Sequence, residues 1–136
     1  MRVADQMPKL RPDGRHRIVV VDDDPAMREL LRTMLNVVPT LRVVAQASNG
    51  VEAVAIARIL LPDLMTLDLR MPVMDGRQAL PLLRDAAPAM RIVVLSAYES
   101  VTDLAGTRAP EARVSKSRGI LQLPELVVDL LAAPRA

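Results

Sequence analysis

Three consecutive aspartates, Asp22, Asp23 and Asp24, close the apolar run RIVVVD, and single polar residues close later runs: Asp68 in DLMTLDL, Ser96 in RIVVLSA and Lys116 in ARVSK. Each has a plain local explanation, since an aspartate caps a helix, a serine opens a turn and a charged strand end is solvated. Together they imply more. Crowded carboxylates repel one another, so a site holding Asp22, Asp23 and Asp68 requires a shared cation. An oxygen-rich site without histidine or cysteine favours a hard divalent ion, and Mg²⁺ takes one or two carboxylates, a carbonyl and several waters. Once that charge is offset, one carboxylate can attack phosphorus and form an aspartyl phosphate. Metal, a hydroxyl and a lysine then suit the oxygens of the transferred group. Lys116 is one of two lysines among eighteen basic residues. Its compact, flexible ammonium differs from the planar fork of arginine.

Other chemistries are excluded by composition. Zero cysteines remove disulfides, thiolate metal sites and cysteine nucleophiles, and a single histidine, His16, removes histidine-based triads. A chain of 136 residues, 51% of them hydrophobic, fits one domain. Its core must be aliphatic, because there is no Phe or Trp and Tyr98 is the one tyrosine. Residues 1–17 carry five cations against two aspartates, with two prolines, a glycine and no apolar periodicity. We therefore expect a flexible basic tail over 1–16 and a folded domain over 17–133, with no further output domain. No signal-peptide core or membrane-length apolar run is present, so a cytoplasmic protein without membrane contact is expected.

The elements that must position these groups follow from the alternation of short apolar runs with longer amphipathic ones, the pattern of a parallel sheet covered by helices. Strands are expected at RIVVVD, LRVVAQA, DLMTLDL, RIVVLSA and ARVSK. The first helix opens with Asp24 as N-cap and Pro25 at its first position, and sets Met27, Leu30, Leu31, Met34 and Leu35 on one face. Further helices are expected at NGVEAVAIARIL, at DGRQALPLLRDA with Pro81 disturbing its middle, near SVTDLAG, and at LPELVVDLLAA. In such α/β sheets ligands bind outside the carboxyl ends of the strands, where these polar residues fall.

At these residues the chain resembles the receiver domain of two-component response regulators, over roughly residues 17–132, through VVVDDDP, PDLMTLDLRMPVMDG, VVLSA and VSKS. The resemblance implies a five-stranded, doubly wound, flavodoxin-like sheet of order 2-1-3-4-5. It implies that Asp68 accepts the phosphoryl group, that Asp22 and Asp23 hold Mg²⁺ together with Asp68 and the backbone carbonyl of Arg70, and that Ser96 and Lys116 contact the phosphoryl group. Pro72 and Gly76 would shape the loop after the third strand. The implied donor is a histidine kinase or phosphotransfer protein. The implied readout is a shift of the face made by the fourth helix, fifth strand and fifth helix, read by a downstream protein or a homodimer. The domain would then be a signalling module and not a conventional enzyme.

Two departures qualify that picture. Arg113 stands three residues before the lysine, where the family usually has Tyr or Phe, and the chain from Ser96 to Lys116 is short. A weakened switch is expected. Arg70 and Tyr98, two positions beyond Asp68 and Ser96, could obstruct an attacking water, so slow autodephosphorylation is expected. Three competing readings follow from the same residues. A degenerate receiver would bind partners without phosphorylation. A receiver fragment of a DNA-binding regulator would have its nucleic-acid contacts elsewhere, since none is expected from these residues. A haloacid-dehalogenase-type phosphatase needs a second aspartate two residues after its nucleophile, where Arg70 stands here.

Overall fold

The computed structural model describes residues 11–97 and 109–133. Strand β1 (His16–Val21) leads into helix α1 (Pro25–Asn36), followed by β2 (Leu41–Ala47), α2 (Gly50–Leu60), β3 (Leu64–Asp68), α3 (Gly76–Ala86), β4 (Arg91–Ser96) and β5 (Ala112–Ser115). A short 3-10 turn (Ile120–Gln122) precedes the last helix, α4 (Leu123–Ala132). The segment expected to be helical near SVTDLAG lies outside the described residues, so the helix counted fifth in the sequence is α4 here. The five strands are parallel in the order β2-β1-β3-β4-β5. The expected doubly wound α/β sheet is thus present.

The β-branched run of β1 explains why this strand is central. Its successive side chains point to opposite faces, and both faces are covered. Val19 and Val21 join Ala53, Ala57, Leu80 and Leu83 of α2 and α3, whereas Ile18 and Val20 join Leu31 and Leu35 of α1 and Leu123 and Val127 of α4. All four β1 residues have no exposure. Each such fully buried aliphatic contributes roughly 1.5–3 kcal/mol. A β-bulge between Ile18 and Val19 leaves Val44 of β2 as the extra residue, and the register then runs on to pair Val21 with Ala47.

Helix starts follow the expected chemistry. Asp24 caps α1 by accepting from the Ala26 amide at 3.0 Å, with Pro25 next in the chain. Asp75 caps α3 in a reciprocal capping box with Gln78 at 2.8 and 3.0 Å. Three expectations need correction. Leu30 is 46% exposed, because the buried stripe of α1 is centred on Leu31 and Leu35 and leaves Leu30 at its rim. Pro81 does not interrupt α3, since it lies on the exposed side, where water can serve the Arg77 carbonyl that loses its amide partner. Residues 11–16, expected within the tail, are held to the domain. His16 begins β1, and Arg11 reaches the Leu61 carbonyl and the Asp63 carboxylate, each at 3.3 Å.

The amino ends of the strands carry a polar network that periodicity does not announce. Buried Asp63 accepts the Arg17 amide at 2.7 Å, and its carbonyl accepts the Arg91 amide at 3.0 Å. Arg91 in turn donates to the Ala133 carbonyl at 2.5 Å, tying the end of α4 to β4. Arg84, 4% exposed, links α3 to the Met90 and Ala109 carbonyls at 3.1 and 2.8 Å and meets both Glu111 oxygens at 3.1 Å. Glu111 also accepts the Ile92 amide at 2.6 Å. Removing one partner of such a pair strands the other charge. Arg84→Met should therefore lower stability by about 3 kcal/mol in urea unfolding, and a second change, Glu111→Gln, which removes the stranded charge but keeps an acceptor for the Ile92 amide, should restore part of the loss.

Candidate functional site

The strand ends assemble the polar residues singled out by the sequence. Asp22 follows β1, is fully buried, and its amide donates to the Ala47 carbonyl at 3.0 Å. One of its oxygens accepts the Asp24 amide at 2.9 Å, and the other forms an ion pair with Lys116 Nζ at 2.7 Å. Asp68 ends β3 at 4% exposure, with Lys116 Nζ 3.3 Å from Oδ1 and the Arg70 amide donating to the same atom at 3.4 Å. Asp23 is exposed beside them. One carboxylate oxygen from each of Asp22, Asp23 and Asp68 can be chosen so that the three lie within 4.8 Å of one another.

Ser96 and Lys116 arrive through the register of the last strands. Asp68 pairs with Leu95, which sets Ser96 one residue further out, and Ser96 pairs with Ser115. The Lys116 amide donates to the Ser96 carbonyl at 2.8 Å, extending the ladder by one bond and fixing where the lysine side chain departs. Gly119 lies close beneath, where an added methyl would come 2.9 Å from Val114 Cγ1. Arg113 is exposed on β5, while Tyr98 lies outside the described residues.

The loop after β3 is built more tightly than the sequence suggests. Gly76 is required by closeness, because a Cβ there would come 2.3 Å from the Asp68 carbonyl oxygen. Gly50 plays a similar part at the start of α2: a Cβ would come 2.7 Å from Met74, and its amide donates to the Met74 carbonyl at 2.7 Å. The left-handed position falls on Val73, with φ 69° and 81% exposure. A β-branched residue there is strained. Sequence reasoning placed the loop's character in Pro72 and Gly76 and missed Gly50 and Val73. It also missed Arg28, whose guanidinium donates to the Asp22 carbonyl at 2.8 Å. A cation one helical turn after the cap was the available signal.

Electrostatics follow from burial and proximity. Burial, then the Asp22 charge, push the Asp68 carboxyl up to about 6, with Lys116 and the Arg70 amide opposing. Burial works against the Lys116 ammonium, but Asp22 and Asp68 more than offset it and hold its pKa above the ordinary lysine value. The three carboxylates thus keep an excess of negative charge over the single ammonium. That donor set, all oxygen and no nitrogen or sulfur, fits a hard cation.

A doubly wound α/β domain with acidic residues, a serine and a lysine at the carboxyl ends of its strands is the arrangement expected of a receiver domain. Comparison with known proteins agrees. The family model for the response regulator receiver domain matches residues 18–114. The chain is 38% identical over 123 residues, 88% of this chain and 36% of the relative, to a protein-glutamate methylesterase/protein-glutamine glutaminase of Halalkalibacterium halodurans. It is 38% identical over 87 residues, 64% of this chain and 40% of the relative, to the nitrate/nitrite response regulator protein NarL of Escherichia coli. The response regulator domain of Thermotoga maritima CheB matches in structure with a TM-score of 0.71 at 28% identity, covering 87% of this chain and 94% of that one. The chain belongs to the response regulator receiver family. It spans little more than a third of the length of these two curated relatives. Among the described residues, no helix is long and apolar enough to cross a membrane.

The raised Asp68 carboxyl has measurable consequences. The folded state holds this proton more tightly than the unfolded chain, so its contribution lowers stability as pH rises from the ordinary value of 3.8 through about 6. Asp68→Asn should therefore stabilise the metal-free protein by about 1–2 kcal/mol near neutral pH and change little near pH 4. Cation binding must displace the same proton. Mg²⁺ affinity measured by calorimetry should rise with pH up to about pH 7 and level off above it, with proton release on binding fading out over the same approach to neutrality.

Proposed function

We propose that this receiver takes a phosphoryl group on Asp68 from a phosphohistidine of a histidine kinase or phosphotransfer protein. A carboxylate oxygen of Asp68 attacks phosphorus, the phosphorus–nitrogen bond breaks, and the imidazole leaves with its electron pair. The observation that carries this reading is the convergence of one partly buried ammonium on both Asp22 and Asp68, at 2.7 and 3.3 Å. Asp22, Asp23 and Asp68, with the Arg70 carbonyl, are the groups that would hold Mg²⁺. The ion, when bound, would offset charge on the carboxylates and on the phosphoryl oxygens. Lys116 would hold a transferred oxygen through a mobile point contact, and Ser96 would supply a hydroxyl at the neighbouring strand end.

The new charge would be read at the face that includes β5 and α4. Exposed Arg113 adds a positive charge to β5 at the position where the family usually has an aromatic residue. The function is signalling, carried out alone or within a larger regulator. The length of the curated relatives favours the second arrangement. There, any enzymatic activity would reside in the additional chain and be controlled by this domain.

Incubation with acetyl phosphate and Mg²⁺, followed by intact mass measurement, tests the acceptor. Wild type should gain one phosphoryl group and Asp68→Asn none. Lack of labelling on wild type, where a control receiver labels, would favour a phosphorylation-independent binding module. Lys116→Arg keeps the charge but replaces a point contact with a planar fork. It should reduce the labelling rate or the accompanying amide-exchange change at least tenfold, whereas a purely electrostatic role predicts near-wild-type behaviour.

A further inference from the structure

Helix α2 departs from the pattern of its neighbours. Of its eleven residues, GVEAVAIARIL, Glu52 and Arg58 are the polar ones. Gly50, Ala53, Val54 and Ala57 are buried against the domain. The outward side is also apolar: Val51 is 50% exposed, Ile59 is 79% exposed, and Ala55 is exposed between them. These three residues are spaced by four and form one continuous ridge of the helix. An α-helix that is apolar all round is normally covered on both sides.

The outer face also reads the same in reverse. Val51 and Ile59 each lie four residues from Ala55, about 6 Å along the axis, and Glu52 and Arg58 each lie three residues from it, about 4.5 Å. Two copies related by a two-fold axis, with antiparallel helices crossing at Ala55, would bring Val51 level with the partner's Ile59 and Glu52 level with the partner's Arg58. Ala55, without a bulky side chain, would permit close approach where the ridges cross. Both Glu52 and Arg58 are exposed. Glu52 Oε1 accepts the Ser48 amide and hydroxyl at 2.7 and 2.8 Å. A carboxylate has about four acceptor sites, so Oε2 can still take an arginine.

From this self-complementary pattern we infer that the outer face of α2 is an interface with a second copy of this chain, an isologous contact centred on Ala55. The Asp68 carboxylate takes no part in it. One helix face buries less than the ~800 Å² per partner of a standard interface, so the association is weak, with a dissociation constant on the order of 0.1 mM.

Sedimentation equilibrium on the full chain, from about 10 µM to about 1 mM, tests the inference. Wild type should pass from monomer to dimer over that range, and Ala55→Arg and Ile59→Glu should weaken association at least tenfold. The decisive arm uses charge. Arg58→Glu places like charges opposite one another in its own dimer, as does Glu52→Arg. Each variant should be monomeric alone, and an equimolar mixture should associate again, because the first variant is acidic at both positions and the second is basic at both. Thermal melts establish that each variant is folded. A wild type that stays monomeric to about 1 mM, dimerisation undiminished in both Ala55→Arg and Ile59→Glu, or folded charge variants whose mixture does not associate, would each overturn the assignment.

Discussion

The structure turns on one ammonium shared by two buried carboxylates. Asp22 and Asp68 sit at adjacent strand ends with almost no exposure, where charges of like sign are costly. Lys116 meets both. It can do so only because β5 lies at the correct height beside β4, and that height is set by the ladder ending in the Lys116 amide and the Ser96 carbonyl. At the other end of the same strand, Arg84 and Glu111 hold the incoming chain to α3 and β4. The two ends of this sheet edge are thus fixed by ion pairs of opposite purpose. The amino-end pair balances its two charges within the fold, whereas the carboxyl-end cluster keeps a surplus of negative charge available to a cation.

Much of this was legible in the sequence, because the signals are local. The apolar runs delimit all five strands to within a residue or two, most clearly for β1, β3 and β4, which are covered on both faces and read as largely aliphatic stretches. Asp24, Asn49 and Asp75 cap helices through contacts two or three residues away, which spacing alone can anticipate. The gathering of Asp22, Asp68 and Lys116 at one rim followed from their places at strand ends, whereas the order of the strands came from resemblance, because contacts across the sheet leave no local trace. Asp63, Arg84, Arg91 and Glu111 illustrate the limit. As letters they resemble any surface charge, and only the packed sheet shows that their partners are backbone groups and carboxylates far along the chain.

Val73 shows a second kind of illegibility. Left-handed backbone is usually announced by Gly or Asn, and here it falls on a β-branched residue beside a glycine needed for a different reason. The strain is compensated by neighbours: the Met74 carbonyl is held by the Gly50 amide, and the Gly76 amide by the Leu69 carbonyl. Neither bond is visible from the order of residues. Both are needed to explain why the loop closes as it does.

The same packing makes the stretch from Asp68 to Gly76 an indivisible cassette. With no room for a methyl at Gly76 or at Gly50, the loop cannot slide relative to β3 or lift from α2 without leaving van der Waals contact on one side. A chimera that imports residues 70–73 from another receiver would inherit this frame and has to satisfy it. One that carries the whole cassette, together with the residue at 50, brings its own. For this domain the natural unit of exchange between receivers is therefore a loop and the distant glycine that seats it.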